Sequence, residues 1–318
     1  MKLGELYRNI VRIGMKNDLR PKRTVQEVLK KSKKSYNSLR GREKAAFDKE
    51  SLSNPYSDTR ILYGDHDRDI NTLMLGIDID PSEILLADRL NEKGRKIDLV
   101  VSHHPSGRAI IDLYKVMHLQ TDLLKNLGMS AEPTQEMMKE RIDKVERGLH
   151  AKNCMRTIDA AKLIDMPFMC MHTAADNMVC TFLQKMFDKK RPKTLGAIVG
   201  VLEGMPEYRE GSRFGMGPRI LVGDRKKPAG RVYVDMTGGT GGSHRIFARL
   251  SQIGIGTVVG MHFSEEHFKS AKSELMNVVV AGHIPSDNLG INLMLDELIK
   301  IDELNIVPCS GFMRYERR

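Results

Sequence analysis

Apolar residues in this chain fall into short, dense runs separated by stretches in which charge and hydrophobicity alternate at helical spacing. Thr72 to Ile77, Ile97 to Ser102, Pro167 to Met171, Arg231 to Met236, Gly256 to Met261 and Asn277 to Ala281 are such runs, and each predicts a buried strand. Between them, Pro81 to Leu90, Ser264 to Met276 and Leu289 to Ile301 carry helical patterns, and Ser243 to Leu250 begins another. Ser264, followed by Glu265 and Glu266, has the character of a helix start. The segment from Thr72 to Ser102 reads as a βαβ unit, and the alternation predicts an α/β fold built as two α/β domains.

The ends of these patterns suggest the wider organisation. Leu3, Leu6, Tyr7, Ile10, Val11 and Ile13 define one face of an N-terminal helix, and Thr24 with Glu27 predicts a capping box for a second. Residues 49 to 60 look irregular, with Asn54-Pro55 as a turn. From Arg108 to Leu149 the pattern is helical, broken at Gly128-Met129 and resumed at Pro133, and fits a lid, a subunit contact or an insertion. The expected division is a basic helical arm over residues 1–60, a first α/β domain over 61–190 with the helical region 108–149 inserted, and a second α/β domain over 191–318.

Composition narrows the class. Of the 318 residues 41% are hydrophobic, enough for a core, yet no run approaches the length of a membrane span and no signal-peptide pattern opens the chain. Cys154, Cys170, Cys180 and Cys309 form no CxxC pair, which predicts a reducing, cytoplasmic setting without disulfides or a thiolate zinc site. Net charge is +10, and residues 1–60 carry most of it, with 16 Lys or Arg against 7 Asp or Glu. Arg20-Pro21-Lys22-Arg23 and Lys30-Lys31-Ser32-Lys33-Lys34 could meet phosphate backbones, but no nucleic-acid module and no interleaved aromatics accompany them. A solvated pair of helices is the favoured reading.

Three strand ends carry the candidate chemistry. Leu99-Val100-Val101-Ser102 delivers His103 and His104 before Pro105, which bars the strand from continuing. Phe168 to Met171 delivers His172, with Asp176 four positions on; Val278 to Gly282 delivers His283, with Asp287 four positions on. If a helix starts at each of the last two, His and Asp share a face and point into one crevice. Imidazole and carboxylate together suit Zn, Fe, Mn, Co or Ni rather than an all-oxygen Mg or Ca site.

Those segments are similar to three motifs of the Nif-three-like family of dinuclear-metal proteins, some of whose members carry the name type-two GTP cyclohydrolase I. The family's Ser-His-His-Pro, His-Thr-x-x-Asp and Gly-His-x-x-x-Glu segments fall on Ser102 to Pro105, His172 to Asp176 and Gly282 to Asp287. The resemblance implies a metal cleft between the two domains, two divalent transition-metal ions, and His103, His104, Asp176, His283 and Asp287 as ligands. It also implies a closed homo-oligomer, often a ring-like hexamer. This chain departs from the pattern in placing Asp287 where the family has glutamate, and Ser106-Gly107-Arg108 after the His-His-Pro segment. The shorter Asp287 predicts one weaker metal position, which glutamate would tighten. Asp176 is the expected bridge between the ions.

The expected activity is hydrolysis of a nucleotide-like or phosphorylated small molecule by metal-bound hydroxide, with Asp176 and His172 in catalytic positions. His172 suits proton transfer or ligand orientation. A GTP cyclohydrolase and a non-catalytic metal-binding scaffold or regulatory protein are the alternatives. Thr237-Gly238-Gly239-Thr240-Gly241-Gly242-Ser243, followed by His244 and Arg245, is either a tight turn or a phosphate-receiving loop at a helix start. It is neither a Walker A loop nor a Rossmann fingerprint. His262 is expected to line the cleft, and His267 to cap its helix or face solvent.

Overall fold

The computed structural model describes residues 1–317. Its strands are β1 (Arg60–Tyr63), β2 (Thr72–Gly76), β3 (Leu99–Ser102), β4 (Phe168–Cys170), β5 (Arg219–Val222), β6 (Arg231–Asp235), β7 (Ile255–Gly260), β8 (Asn277–Val280) and β9 (Asn305–Pro308). They form a five-stranded sheet in the order β1-β4-β3-β2-β9 and a four-stranded sheet in the order β5-β8-β7-β6. In the first, β4, β3, β2 and β9 run parallel and β1 is an antiparallel edge. In the second, β8, β7 and β6 run parallel and β5 is the antiparallel edge. The two sheets therefore repeat one strand order, with β1 to β4 matched by β5 to β8.

The six sequence runs are buried because parallel strands are covered on both faces. The helices that follow β4 and β8, Thr173–Lys190 and His283–Ile299, pack against each other and serve both sheets. Ala174, Ala175 and Met178 join the core of the first sheet, whereas Val179, Cys180 and Leu183 join that of the second. Gly290 makes this close packing possible: a Cβ there would stand 2.6 Å from the carbonyl oxygen of Ala175.

Several expectations need correction. The helix Leu3–Lys16 is no solvated arm; Leu3, Leu6 and Ile10 are buried in the first core beside both central helices. The helix after it begins at Lys22 behind Pro21, which puts Thr24 inside the first turn rather than at the cap, and holds much of the exposed positive charge. Residues 107–149 fold as four helices, of which Leu124, Met137, Met138 and Ile142 pack with Tyr233, Phe247 and Val258 over the second sheet. This region joins the two sheets.

The expected division at 190 also fails to follow the sheets, because β9 returns to pair with β2 and the first core includes Ile291, Met294 and Leu295. The apolar run from Leu195 folds as the helix Leu195–Glu203, with the Thr194 hydroxyl accepting from the amide of Ala197. Beyond β9 the chain lies along the helix His283–Ile299. Asn288 and Asn292 bond its backbone at Gly311, Met313 and Tyr315, and Arg317 pairs with buried Glu207. Among the described residues no helix is long and apolar enough to cross a membrane.

Candidate metal centre

β3, β4 and β8 end side by side with their sister strands at the junction of the two units, and each hands an imidazole to the same cleft. The chain enters helix immediately after His172 and at His283, so Asp176 and Asp287 each sit one turn along on the same face. Before His283, Gly282 adopts φ +107° and lies so close to Met216 that an added Cβ would meet its carbonyl oxygen at 2.2 Å. Only glycine fits this turn.

The structure brings His103, His104, His172, Asp176, His283 and Asp287 together in three overlapping donor groups. One is His104, His283 and Asp287; another is His103, Asp176 and Asp287; His103, His104 and His172 make the third. Asp287 spans the first two: Oδ1 lies 3.4 Å from His103 Nε2, and Oδ2 lies 3.4 Å from His104 Nε2 and 3.6 Å from His283 Nε2. Asp176 reaches His103 Nε2 at 3.5 Å through Oδ1 and His172 Nε2 at 3.8 Å through Oδ2. It is therefore Asp287, rather than Asp176, that touches both carboxylate-containing groups. Asp287 is fully buried, so its helix has carried the shorter carboxylate fully into the cluster.

These separations suit a shared cation. Two donors held at about 2.1 Å in a tetrahedral shell stand roughly 3.4 Å apart. His103 Nε2, His104 Nε2, Asp176 Oδ1 and both oxygens of Asp287 are buried without a hydrogen-bond partner. Five such atoms facing one cleft are costly unless a ligand satisfies them. The residues present therefore fit divalent metal ions.

The outer nitrogens of three rings are fixed. His103 Nδ1 lies 3.0 Å from the carbonyl of Met171, His104 Nδ1 2.7 Å from Asp78, and His172 Nδ1 2.8 Å from Asp58. Each partner is an acceptor, so Nδ1 carries a proton and Nε2 is the atom that would face a bound ion. Burial opposes the charge on Asp287, but the surrounding imidazoles of His103, His104 and His283 outweigh it and hold the carboxyl below its usual range. Burial likewise disfavours protonated His103, and Asp287 with Asp176 reverses this, raising it well above the usual imidazole value. Burial dominates at His283 and His262, and both are lowered.

Asp58 was missed. It lies in the irregular segment before β1, wholly buried, and also accepts from the Thr173 hydroxyl at 2.6 Å. Nothing in its local pattern distinguishes it. Strand pairing also relates His262 to His104: Asp235 opposes Gly260 as Gly76 opposes Ser102, and each histidine follows two residues later. His262 stacks beside His283 with ring centroids 4.8 Å apart.

The cleft encloses about 340 Å³ and is lined by His104, His172, His283 and both carboxylates, and by Gly239, Thr240 and Gly241 of the glycine-rich loop. A side chamber of about 230 Å³ continues past Gly242, Ser243 and His244. Gly238 and Gly239 take φ +92° and +87°, consistent with a tight turn. The expected helix start at Ser243 is displaced to Ile246, and that helix has only 7 residues. The loop carbonyls are occupied: Gln120 donates to Thr237, Gly238 and Thr240, and Arg141 to Gly241. The loop thus forms a wall held by the 107–149 helices. His267 Nδ1 lies 2.8 Å from the Ser264 hydroxyl, which also caps that helix, and the ring lines both cavities.

Two α/β units with matching strand order, closed around a cleft of imidazoles and carboxylates, define the class of fold. A solved NIF3 superfamily protein from Sphaerobacter thermophilus superposes with a TM-score of 0.69 at 24% identity, covering 80% of this chain and 91% of that one. The chain thus has the Nif-three-like fold. Reduced HcgD from Methanocaldococcus jannaschii matches more loosely, with a TM-score of 0.49 at 13% identity over 78% of this chain and 87% of that one. No protein-family model matches the sequence. No curated protein matches it either.

Proposed function

We propose that this protein is a metal-dependent hydrolase acting on a nucleotide-like or phosphorylated small molecule. The observation that carries the reading is the convergence of five buried, unpartnered donor atoms at the floor of a substrate-sized cleft. In this reading His104 and His283 would hold one divalent ion, His103 and Asp176 would hold the other, and Asp287, which belongs to both donor groups, would contribute to each. Ions bound there would acidify water and polarise the bond to be cleaved. His172, oriented by Asp58, presents Nε2 beside Asp176 and would accept or return a proton at that atom. The wall of apolar residues, including Ile110, Leu113 and Leu149, would exclude bulk water from the reacting group.

The test starts with elemental analysis of protein purified without an affinity tag, which should show at least one equivalent of a transition metal. A panel of phosphomonoesters, phosphodiesters and GTP with Mn, Zn, Fe or Co should then yield turnover that His103→Ala and Asp176→Ala abolish. A fully metallated protein inert across the panel would overturn the enzyme reading in favour of a metal-bearing scaffold. The protein is further proposed to form a closed homo-oligomer, and light scattering that shows a monomer at all concentrations would refute that.

A further inference from the structure

We infer that Arg141 is the anion anchor of the cleft, gripping a phosphate group of the substrate at the junction between the metal-lined cavity and its side chamber. The inference rests on the functional reading above and specifies its substrate as phosphorylated. Arg141 lies on the helix Ala131–Leu149, and Val145 and Leu149, one and two turns further on, line the same cleft. It is the cation common to both cavities, which meet at Thr240 and Gly241.

Its surroundings are those of an unfinished ion pair. Arg141 Nε donates to the carbonyl of Gly241 at 2.9 Å, which fixes the plane of the guanidinium. Burial disfavours its charge, and the compensation from Glu266 does not offset it. The neighbouring carboxylates are engaged: Glu140 with Arg245 at 3.0 Å, Asp143 with Lys139 at 2.6 Å, and Glu266 with the Ser264 hydroxyl at 2.6 Å. A guanidinium tethered through Nε keeps its two terminal nitrogens for a bidentate partner, and a phosphate has matching geometry. Lys144, one turn along the chain, lines the side chamber and adds a second positive charge where further phosphates would extend. This gives the glycine-rich loop a different role from the one its sequence suggests: it positions the arginine that binds the anion.

Calorimetric titration of the full chain tests this with inorganic pyrophosphate, GTP and guanosine, both metal-loaded and after chelation. Chelation removes the metals' own attraction for phosphate. Pyrophosphate and GTP should bind the chelated protein and guanosine should bind far more weakly. Arg141→Gln should weaken both phosphorylated probes by roughly tenfold to a hundredfold. Arg141→Lys, which keeps the charge and loses the fork, should fall between. Lys96→Gln, which removes an exposed charge outside both cavities, should bind as the parent does. Failure of pyrophosphate to bind the chelated parent, parental affinity in both Arg141 variants, or equal weakening by Lys96→Gln would overturn the inference. Because binding is read without turnover, an inert protein that grips pyrophosphate through Arg141 would sink the hydrolase reading alone. An active enzyme indifferent to Arg141→Gln would sink only the anchor.

Discussion

The sharpest consequence of the site geometry is that its two carboxylates are unequal. Asp176 belongs to one of the two carboxylate-containing donor groups, whereas Asp287 belongs to both. Asp176→Ala should therefore release one metal ion and leave the one held by His104, His283 and Asp287. Asp287→Ala should release both. A ligand that binds only the folded chain stabilises it by about 2.7 kcal/mol at a hundredfold excess over its dissociation constant. At roughly 2 °C per kcal/mol for a large domain, each ion should raise the melting temperature by roughly 5 °C. The assay compares melting with and without added Mn, Zn or Co for each variant, together with metal content by elemental analysis. Comparing each variant with its own chelated form cancels whatever the substitution does to the bare fold. Expected shifts are roughly 10 °C for the parent, 5 °C for Asp176→Ala and none for Asp287→Ala. Equal metal content in the two variants, or two equivalents retained by Asp287→Ala, would falsify the shared-carboxylate geometry.

Other substitutions probe the same architecture. Asp287→Glu inserts a methylene into a fully buried cluster, so it should cost about 1–3 kcal/mol and loosen metal binding; tighter binding would restore the expectation drawn from the family's glutamate. Asp58→Asn places an amide donor against His172 Nδ1 and forces the proton onto Nε2. Turnover should fall roughly tenfold to a hundredfold with metal content retained, and unchanged turnover would show that His172 moves no proton. Asp235 has its carboxyl pushed up to about 6 by burial. Between the ordinary aspartate value and that one, the unfolded chain ionises first, so stability falls as pH rises, by about 3 kcal/mol once the window is crossed. In chelated protein Asp235→Asn should raise the melting temperature at pH 7 and leave it unchanged at pH 4; a gain of equal size at both would refute the linkage.

Much of this site could be read from the chain because buried parallel strands are continuous apolar runs and end abruptly. Val100-Val101, Met169-Cys170 and Val279-Val280 are such runs, and the polar residue that terminates each stands at the cleft. Helical spacing then ties His172 to Asp176 and His283 to Asp287. The antiparallel edges β1 and β5 and the returning β9 were not expected, since each has only four residues and a partly exposed face. Asp58 was hidden for a different reason. It meets His172 across 114 positions of sequence, and no local periodicity encodes that contact. Charge counting misled at the N-terminus by averaging a core helix, Leu3–Lys16, with the exposed lysine-rich helix Lys22–Ser38.

The return of β9 to the first sheet, and of the helix His283–Ile299 to its core, makes the site depend on segments far apart in the chain. Until residues 305–308 emerge, β2 keeps an open edge, and until His283 and Asp287 emerge, neither donor group that needs Asp287 can close. The first unit carries His103, His104, His172 and Asp176, and the second supplies His283 and Asp287. The close approach of Gly290 to Ala175 is what brings the two sets together. Ions held there would therefore report on whether the two units are docked, because the donors on either side of the cleft come from both.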